Sequence, residues 1–255
     1  MDFTFPIIEI KETDSTNRYL NDWCDGNHDQ VQPFTLVTSD FQSAGKGQQG
    51  NSWESEAGAN LTFSFVMYPD FVPAKRQFVI SQIVSLGIVE ALRKQAPDYA
   101  DSFSVKWPND IYFLDKKICG ILIETFLRGM NLGRCVCGIG LNVNQKRFLS
   151  DAPNPVSLCQ IVGKNINRLT LLQDVMGEII HLYATLLTQE AEATENIRQR
   201  YASNLYRRVG AHKFKDAGGE FLARFVKVEP DGRLFLEDYE GKTRSYLFKE
   251  VQYII

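Results

Sequence analysis

Asp40-Phe41-Gln42-Ser43-Ala44-Gly45-Lys46-Gly47-Gln48-Gln49-Gly50-Asn51-Ser52-Trp53 is the stretch on which the reading of this chain turns. It is polar, and it carries no large apolar side chain between Phe41 and Trp53. Phe34–Val37 before it and Leu61–Tyr68 after it read as strands, so a polar, glycine-punctuated loop is predicted between two buried strands. Such loops are uncommon unless they carry function. Gly45, Gly47 and Gly50 permit tight turns and close approach to a ligand, and Lys46 places positive charge beside the exposed N–H groups, which suits an anion. The spacing G-x-G-x-x-G invites a dinucleotide-binding reading, but that motif needs a helix opening at its end. Here Asn51 to Asn60 leads into a β-rich run instead. A kinase loop would need His-Arg-Asp and Asp-Phe-Gly, neither of which occurs, and a Walker loop would need Gly-Lys-Ser or Gly-Lys-Thr, whereas Gly45-Lys46 is followed by Gly47 and the Gly-Lys-Thr at 241–243 has Leu236 where the motif's leading glycine belongs. A plain surface loop is the alternative, and the tryptophan that closes the stretch argues against it.

On the N-terminal side, Ile7–Ile10 reads as a strand. Thr13-Asp14-Ser15-Thr16-Asn17 is a cluster of capping residues followed by Tyr19, Leu20 and Trp23, which predicts a helix ending near Gly26. A cap is the simple reading of that cluster, yet free N–H groups at a helix start also gather polar ligand groups. On the C-terminal side, Phe63, Phe65 and Met67 alternate with Thr62, Ser64 and Val66. Pro73 opens a buried helix that stops before Pro97. Ser104–Trp107 and Ile111–Leu114 are strands, and an Asp115-Lys116 turn leads into Lys117–Glu124, so Asp110 and Lys117 are expected to face each other. Cys135–Val143 is a further strand whose glycines signal a bulge or a close ligand. Leu171 to Leu186 is an amphipathic helix with Thr170 as its cap, and Glu190–Tyr201 is a polar helix. From about Arg208 the chain turns to short strands at Glu220–Val228, Leu234–Asp238 and Ser245–Phe248, with turns at Pro230-Asp231-Gly232 and Glu240-Gly241.

The whole-chain numbers are those of an ordinary globular protein: 255 residues, 44% hydrophobic, 23% charged. A net charge of −3 argues against a general nucleic-acid binder. Five cysteines, an odd count mostly in apolar contexts, favour free thiols in a reducing compartment. There is no signal-peptide pattern and no apolar run near the ~20 residues of a membrane span, so a soluble, cytoplasmic protein is expected. Cys135-x-Cys137 finds no complementary ligands among the three scattered histidines, and two core thiols are the better reading. His181 is read as structural, and a Ser/His/Asp hydrolase is disfavoured because G-x-S-x-G is missing. Lys106, Asp110 and Lys117 are more informative. Two lysines and an aspartate at strand ends near a glycine loop suit a nucleotide phosphate with a divalent cation, although a solvated charged hairpin fits them about equally well. Trp53 and Trp107 offer walls for a ring system.

Four motifs in series resemble the biotin–protein ligases. They are Asp14-Ser15-Thr16-Asn17; Gln42 to Trp53; Lys106-Trp107-Pro108-Asn109-Asp110 with Lys117-x-x-Gly120-Ile121-Leu122-x-Glu124; and Gly138-Ile139-Gly140-Leu141-Asn142-Val143-Asn144. The resemblance implies an α+β fold of the class II synthetase-like type, with a central mixed sheet flanked by helices over residues 1–205 and a small SH3-like barrel over 206–255. The winged-helix repressor domain of some members has no counterpart before the first strand, so DNA binding is not expected. The implied chemistry uses ATP and Mg²⁺ to convert biotin into biotinyl-5′-AMP, then passes the acyl group to a lysine of a biotin carboxyl carrier protein or domain. Lipoate or octanoate ligases and transferases share the superfamily, and a non-catalytic biotin-binding adaptor is a third reading. Homodimers that pair through a sheet edge occur in the family, which leaves that assembly open here.

Residue by residue, the resemblance assigns Ser15, Thr16, Asn17 and Gln42 to the biotin head, and Gly45, Lys46, Gly47 and Gln48 to its carboxylate and the phosphate. Trp53 and Asn142 go to the adenine side, Asn109 and Asp110 to nucleotide and Mg²⁺, and Lys117, with Lys106, to charge stabilisation at the reacting centre. Gly120 and Gly138 permit close approach. The chain departs from the family at Lys46, Gln48, Gln49 and Asn51, where arginines are common. Three positive charges are thereby missing, and a leakier intermediate is predicted than an arginine loop gives. Gln48→Arg is expected to slow adenylate escape in a single-turnover release measurement; an unchanged release rate would defeat that expectation.

Overall fold

The structure is a computed structural model that describes residues 5–27, 30–45, 47, 53–150 and 153–255. A mixed seven-stranded sheet forms its centre, in the order β1-β2-β3-β7-β6-β5-β4. The strands are β1 (Ile7–Thr13), β2 (Leu36–Gln42), β3 (Leu61–Met67), β4 (Phe103–Lys106), β5 (Asp110–Phe113), β6 (Lys116–Arg128) and β7 (Asn131–Leu141). β1 and β2 run parallel and every other neighbouring pair is antiparallel. The β1–β2 ladder continues to Thr13 opposite Gln42. Asp40–Gln42 are therefore strand rather than loop, and the strand sits later than the expected Phe34–Val37, because parallel pairing carries the backbone on to the rim of the sheet.

Helices cover both faces. α2 (Phe78–Gln95) and α4 (Arg168–Thr188) lie on one side, with α5 (Glu190–Ser203) beyond them. Phe63, Phe65, Cys137, Ile139, Ile83, Leu86, Leu172 and Met176 share that core. Apolar matter on this side is continuous, which is why α2 buries residues all round its axis. α1 (Thr16–Asn27) packs on the other side through Leu20 and Cys24 against Val37, Val66 and Val136. β3 is accordingly buried on both faces, although its sequence alternates. α4 begins earlier than expected. Its cap is Asn167, whose side chain accepts from the Thr170 N–H, so Thr170 itself is not the cap. A short helix, α3 (Leu158–Val162), was not visible in the sequence; Ser157 and Gln160 form its capping box. The two-residue turn after β5 is Leu114-Asp115, with Leu114 at φ 51°, one position before the expected turn. His181 is exposed on α4 rather than packed in it.

The C-terminal unit is a five-stranded antiparallel sheet, β11-β10-β9-β8-β12, consistent with the small SH3-like barrel. Its strands are β8 (Ala211–Asp216), β9 (Gly219–Val228), β10 (Leu234–Asp238), β11 (Thr243–Tyr246) and β12 (Gln252–Tyr253). β8 and β12 were not read from sequence, since lysines and an aspartate interrupt β8 and β12 has two residues. The sheet docks on the central-sheet unit through the turn at Gly232. The buried Trp107 indole N–H donates to the Gly232 carbonyl at 2.9 Å, and Phe248 packs its ring on those of Trp107 and Phe78. All five cysteines are free and buried. Among the described residues no helix is long and apolar enough to cross a membrane.

Gly232 has φ 92°, and a Cβ there would lie 2.8 Å from Phe78 Cδ2. Gly232→Ala is expected to cost about 1–3 kcal/mol through backbone strain and overpacking, read as a lowered thermal midpoint. A midpoint equal to that of the unaltered chain would show that the docking turn does not contribute to stability.

Candidate functional site

On the α1 side of the sheet, alternation along β6 and β7 removes side chains where a floor would be. Gly120 and Gly140 are directly opposed across the ladder, and Gly138 is paired with Ser64 of β3 and Leu122 of β6. The gap is filled from above. A Cβ on Gly140 would stand 2.3 Å from the Trp53 ring, and one on Gly138 would stand 2.1 Å from Asn17 Oδ1. These glycines make no bulge in the β3–β7 register; they make room for side chains laid flat on the sheet.

A cavity of about 930 Å³ opens beside this floor. It gathers Ser15, Thr16, Asn17, Gln42, Gly47, Trp53, Lys106, Asn109, Asp110, Lys117, Gly120 and Gly138, all of them singled out in the sequence. Lys46, Gln48, Gln49 and Asn51 lie outside the described residues. Gly45 and Asn142 are buried but do not line the cavity. Gly45 forms the neck of the loop: its carbonyl accepts from the Trp53 N–H at 2.8 Å, and a Cβ there would meet the Trp53 carbonyl at 2.7 Å. Asn142 donates to Val156 O at 3.1 Å, while its Oδ1 and the Trp53 Nε1 are buried without partners. Unpaired buried polar atoms are costly, and one of these two belongs to a residue that lines the cavity.

The polar end of the cavity is built at the start of α1. Gln42 Oε1 accepts from the Thr16 backbone N–H at 2.8 Å and from the Thr16 hydroxyl at 3.0 Å. The Ser64 hydroxyl lies 2.7 Å from Thr16 Oγ1 and 2.6 Å from Asn17 Oδ1. Asn17 Nδ2 donates to Glu124 at 3.0 Å, and Asn21 reaches the same carboxylate oxygen. Ser64 and Glu124 thus belong to the network, although neither was assigned a role from sequence. Beyond the loop neck, Glu54 accepts from the Leu149 and Ser150 N–H groups and from Gln145. Burial opposes its charge, but those hydrogen bonds outweigh burial and hold its carboxyl below the usual range.

The charged end rests on a one-residue irregularity. The β5–β6 register shifts between Ile111 and Tyr112, which pair with Cys119 and Lys117 respectively. Ile118 and Cys119 therefore both enter the core, and Lys117 is turned on to the face that bears Gly120. Lys117 Nζ sits 2.7 Å from Asp110 Oδ1 and 5.8 Å from the Trp53 ring. Lys106, opposite Asp110 in the β4–β5 ladder, is treated differently. Its ammonium lies over the rings of Tyr112 at 5.0 Å and Tyr253 at 5.3 Å. Burial pushes the Lys106 pKa below the ordinary lysine value; Asp110 opposes the shift, while Lys117 and Arg207 add to it. Asp110 is the only carboxylate side chain among the described lining residues, and no group of three metal-ligating side chains occurs among them. Tyr112 could have been anticipated, since it shares Asp110's face two residues on. The tail Val251–Ile255, which closes one wall, carried no signal.

Residues 9–142 match the model of the biotin/lipoate A/B protein ligase family. The chain is 28% identical over 217 residues to the bifunctional ligase/repressor BirA of Bacillus subtilis, covering 83% of this chain and 64% of that protein. It is 33% identical over 168 residues to BirA of Escherichia coli, covering 65% and 50%. It thus spans less than two thirds of the length of either relative. Among solved structures, it is similar to the biotin protein ligase from Aquifex aeolicus in complex with biotin and ATP, with a TM-score of 0.78, 26% identity, and 98% and 99% of the two chains covered. With a matched region of this extent, containing the Ser15–Asn17 helix start, both lysines and the glycine floor, the chain belongs to the biotin/lipoate A/B protein ligase family.

Proposed function

We propose that this chain is an ATP-dependent biotin–protein ligase. The observation that carries the reading is the convergence of separately read segments on one cavity with a hydrogen-bonding end and a cationic end. In the first step a biotin carboxylate oxygen attacks the α-phosphorus of ATP, and the bond to pyrophosphate breaks. In the second, a carrier lysine amine attacks the acyl carbon, the carbon–oxygen bond to AMP breaks, and the amine loses a proton.

The residues divide along those needs. Ser15, Thr16, Asn17 and Gln42 offer donors and acceptors to the ureido ring, with Ser64 behind them. Gly45, Lys46, Gly47 and Gln48 are assigned to the carboxylate and phosphate, Trp53 and Asn142 to the adenine, and Asn109 to the nucleotide. Lys117 and Lys106 offset charge that builds on the phosphoryl oxygens, where a fixed donor in a water-poor site is worth most. Asp110 fits Mg²⁺ as a single protein oxygen donor supplemented by phosphate oxygens and water, the usual manner for this ion. When bound, the ion would offset charge on the phosphates.

The polar end also bears on the choice of acid. An octanoyl chain or a dithiolane ring would leave the Ser15, Thr16, Asn17 and Gln42 groups facing a partner without matching donors and acceptors, which disfavours it. The carrier is accordingly a biotin carboxyl carrier protein or domain. We assign catalysis to residues 1–205, treat 206–255 as the appended small domain, and take the free buried thiols as support for a cytoplasmic setting. β1 and β4 are edge strands, and a homodimer formed through such an edge is part of the reading.

Purified protein given ATP, Mg²⁺ and biotin is expected to yield a species with the mass of biotinyl-AMP, together with pyrophosphate. Biotin binding with no turnover would instead identify an adaptor, and faster turnover of lipoate or octanoate would reassign the acid. Lys117→Ala is expected to lower the adenylation rate by on the order of 10²-fold or more, as loss of a preorganised transition-state donor does. Near-normal turnover of that variant would remove Lys117 from the mechanism.

A further inference from the structure

The two cavity lysines are held by different physics. Lys117 has a carboxylate partner in Asp110. Lys106 has none within ion-pair distance among the described residues. Its ammonium is instead placed over two aromatic faces, one from β5 and one from the C-terminal sheet. A carboxylate would offset the charge and occupy an N–H donor. A ring quadrupole attracts the cation while leaving its N–H groups for another acceptor. That is the arrangement a phosphate-binding lysine needs when it must be both fixed and uncommitted.

Tyr253 is firmly placed for this task. It pairs with Phe214 in the β8–β12 ladder, and the two rings lie 4.9 Å apart. Phe214 is itself buried. Tyr206 stacks beside Tyr253 at 5.9 Å and beside Tyr112 at 5.2 Å, and its hydroxyl donates to Asp115 on the β5–β6 turn. The next residue holds the strand: the Ile254 N–H donates to the Lys213 carbonyl, and its own carbonyl accepts from the Arg207 guanidinium. The ring that faces Lys106 is thus part of a continuous aromatic run between the cavity and the core of the small sheet.

We propose that Tyr253 is a positioning residue of the nucleotide site: with Tyr112 it forms a two-ring cage that holds the Lys106 ammonium toward the ATP phosphates, so that the C-terminal sheet completes the active site. The proposal rests on the reading that Lys106 serves the nucleotide, and the experiment separates the two. kcat/KM for ATP in biotin-dependent pyrophosphate release is measured for Tyr253→Leu, Tyr253→Phe, Lys106→Ala and the double variant, alongside biotin affinity and the thermal midpoint. Tyr253→Leu should lower kcat/KM for ATP by about tenfold, the scale of one desolvated cation–π contact, with biotin affinity unchanged. Tyr253→Phe, which keeps the face, should recover most of the loss. In the Lys106→Ala background, Tyr253→Leu should add less than about twofold, because the two residues act through one interaction. Should leucine lower the thermal midpoint, Tyr253→Met, whose flexible thioether adapts to the gap without an aromatic face, replaces it.

If Lys106→Ala leaves kcat/KM for ATP unchanged, the nucleotide role of Lys106 is wrong and the cage falls with it. If Lys106→Ala is slow while Tyr253→Leu matches the unaltered chain, or if the two losses multiply, the role of Lys106 survives and the cage alone is refuted. Equal losses of ATP and biotin affinity in Tyr253→Leu would likewise overturn the positioning role in favour of a structural one.

Discussion

A sheet face presents a side chain at every second residue, and this one does not. Gly120 and Gly140 face each other across two central strands, and Gly138 sits one step along the same face. Glycine weakens a strand by roughly 0.5–1 kcal/mol at each such position, so this floor persists only because the flanking strands are long and sealed below by a deep apolar layer. What the glycines allow is contact between the sheet backbone and objects that would otherwise ride a side chain higher. Asn17 reaches the sheet, bringing the start of α1 with it, and the Trp53 ring lies flat on Gly140. The depth of the cavity and the position of its polar end both follow from that omission. A methyl group on Gly138 or Gly140 would collide with Asn17 or Trp53 and displace the elements that frame the site.

The second constraint is electrostatic. A cavity that shelters lysines from water penalises their charge, and the lowered pKa of Lys106 records that penalty. One lysine is stabilised by a carboxylate, at the expense of part of its field. The other is stabilised by π faces, which leave the field directed into the cavity. The ring that supplies one of these faces belongs to the C-terminal sheet, and its neighbours Phe214, Phe221 and Tyr246 continue the run through that sheet. Trp107, next in sequence to Lys106, is anchored to Gly232 in the same unit. Two of the residues that join the central sheet to the small one are thus consecutive, one by its indole N–H and the other by its ammonium.

Much of the site was legible because its chemistry is local in sequence. The capping cluster at Thr13–Asn17, the loop and the Lys106–Asp110 segment each carry their polar residues within a few positions, and hairpin geometry brings Lys117 to Asp110. What could not be read depends on long-range packing. The irregularity at Ile118 decides which face Lys117 occupies, yet Lys116-Lys117-Ile118-Cys119 offers no local reason to prefer one register. Ser64 looked like the polar phase of an alternating strand, and only α1 folding over it makes it a partner of Thr16 and Asn17. Tyr253 lies on a two-residue strand whose neighbours are set by Phe214 and Tyr206, both distant in sequence. Thr170 was the plausible cap of α4 until tertiary placement showed Asn167 performing that role.

On the function proposed above, the cavity takes a polyanion although the Gly45–Trp53 segment is poor in arginine. The ends of the Gly45–Trp53 segment are tied together at the rim by the Trp53–Gly45 hydrogen bond, and Glu54 fixes the exit to the Leu149–Ser150 backbone. Among the described residues, the cations that line the cavity are Lys117 from β6, Lys106 from β4 and Lys249 from the C-terminal tail. A charge on a strand within a packed sheet is held in place before ligand arrives, whereas a charge on a loop has to be ordered at a cost in conformational entropy. On that argument, placing two lysines on strands favours preorganisation of the positive charge. It also makes the aromatic surfaces that hold the wall cations as consequential as the cations themselves.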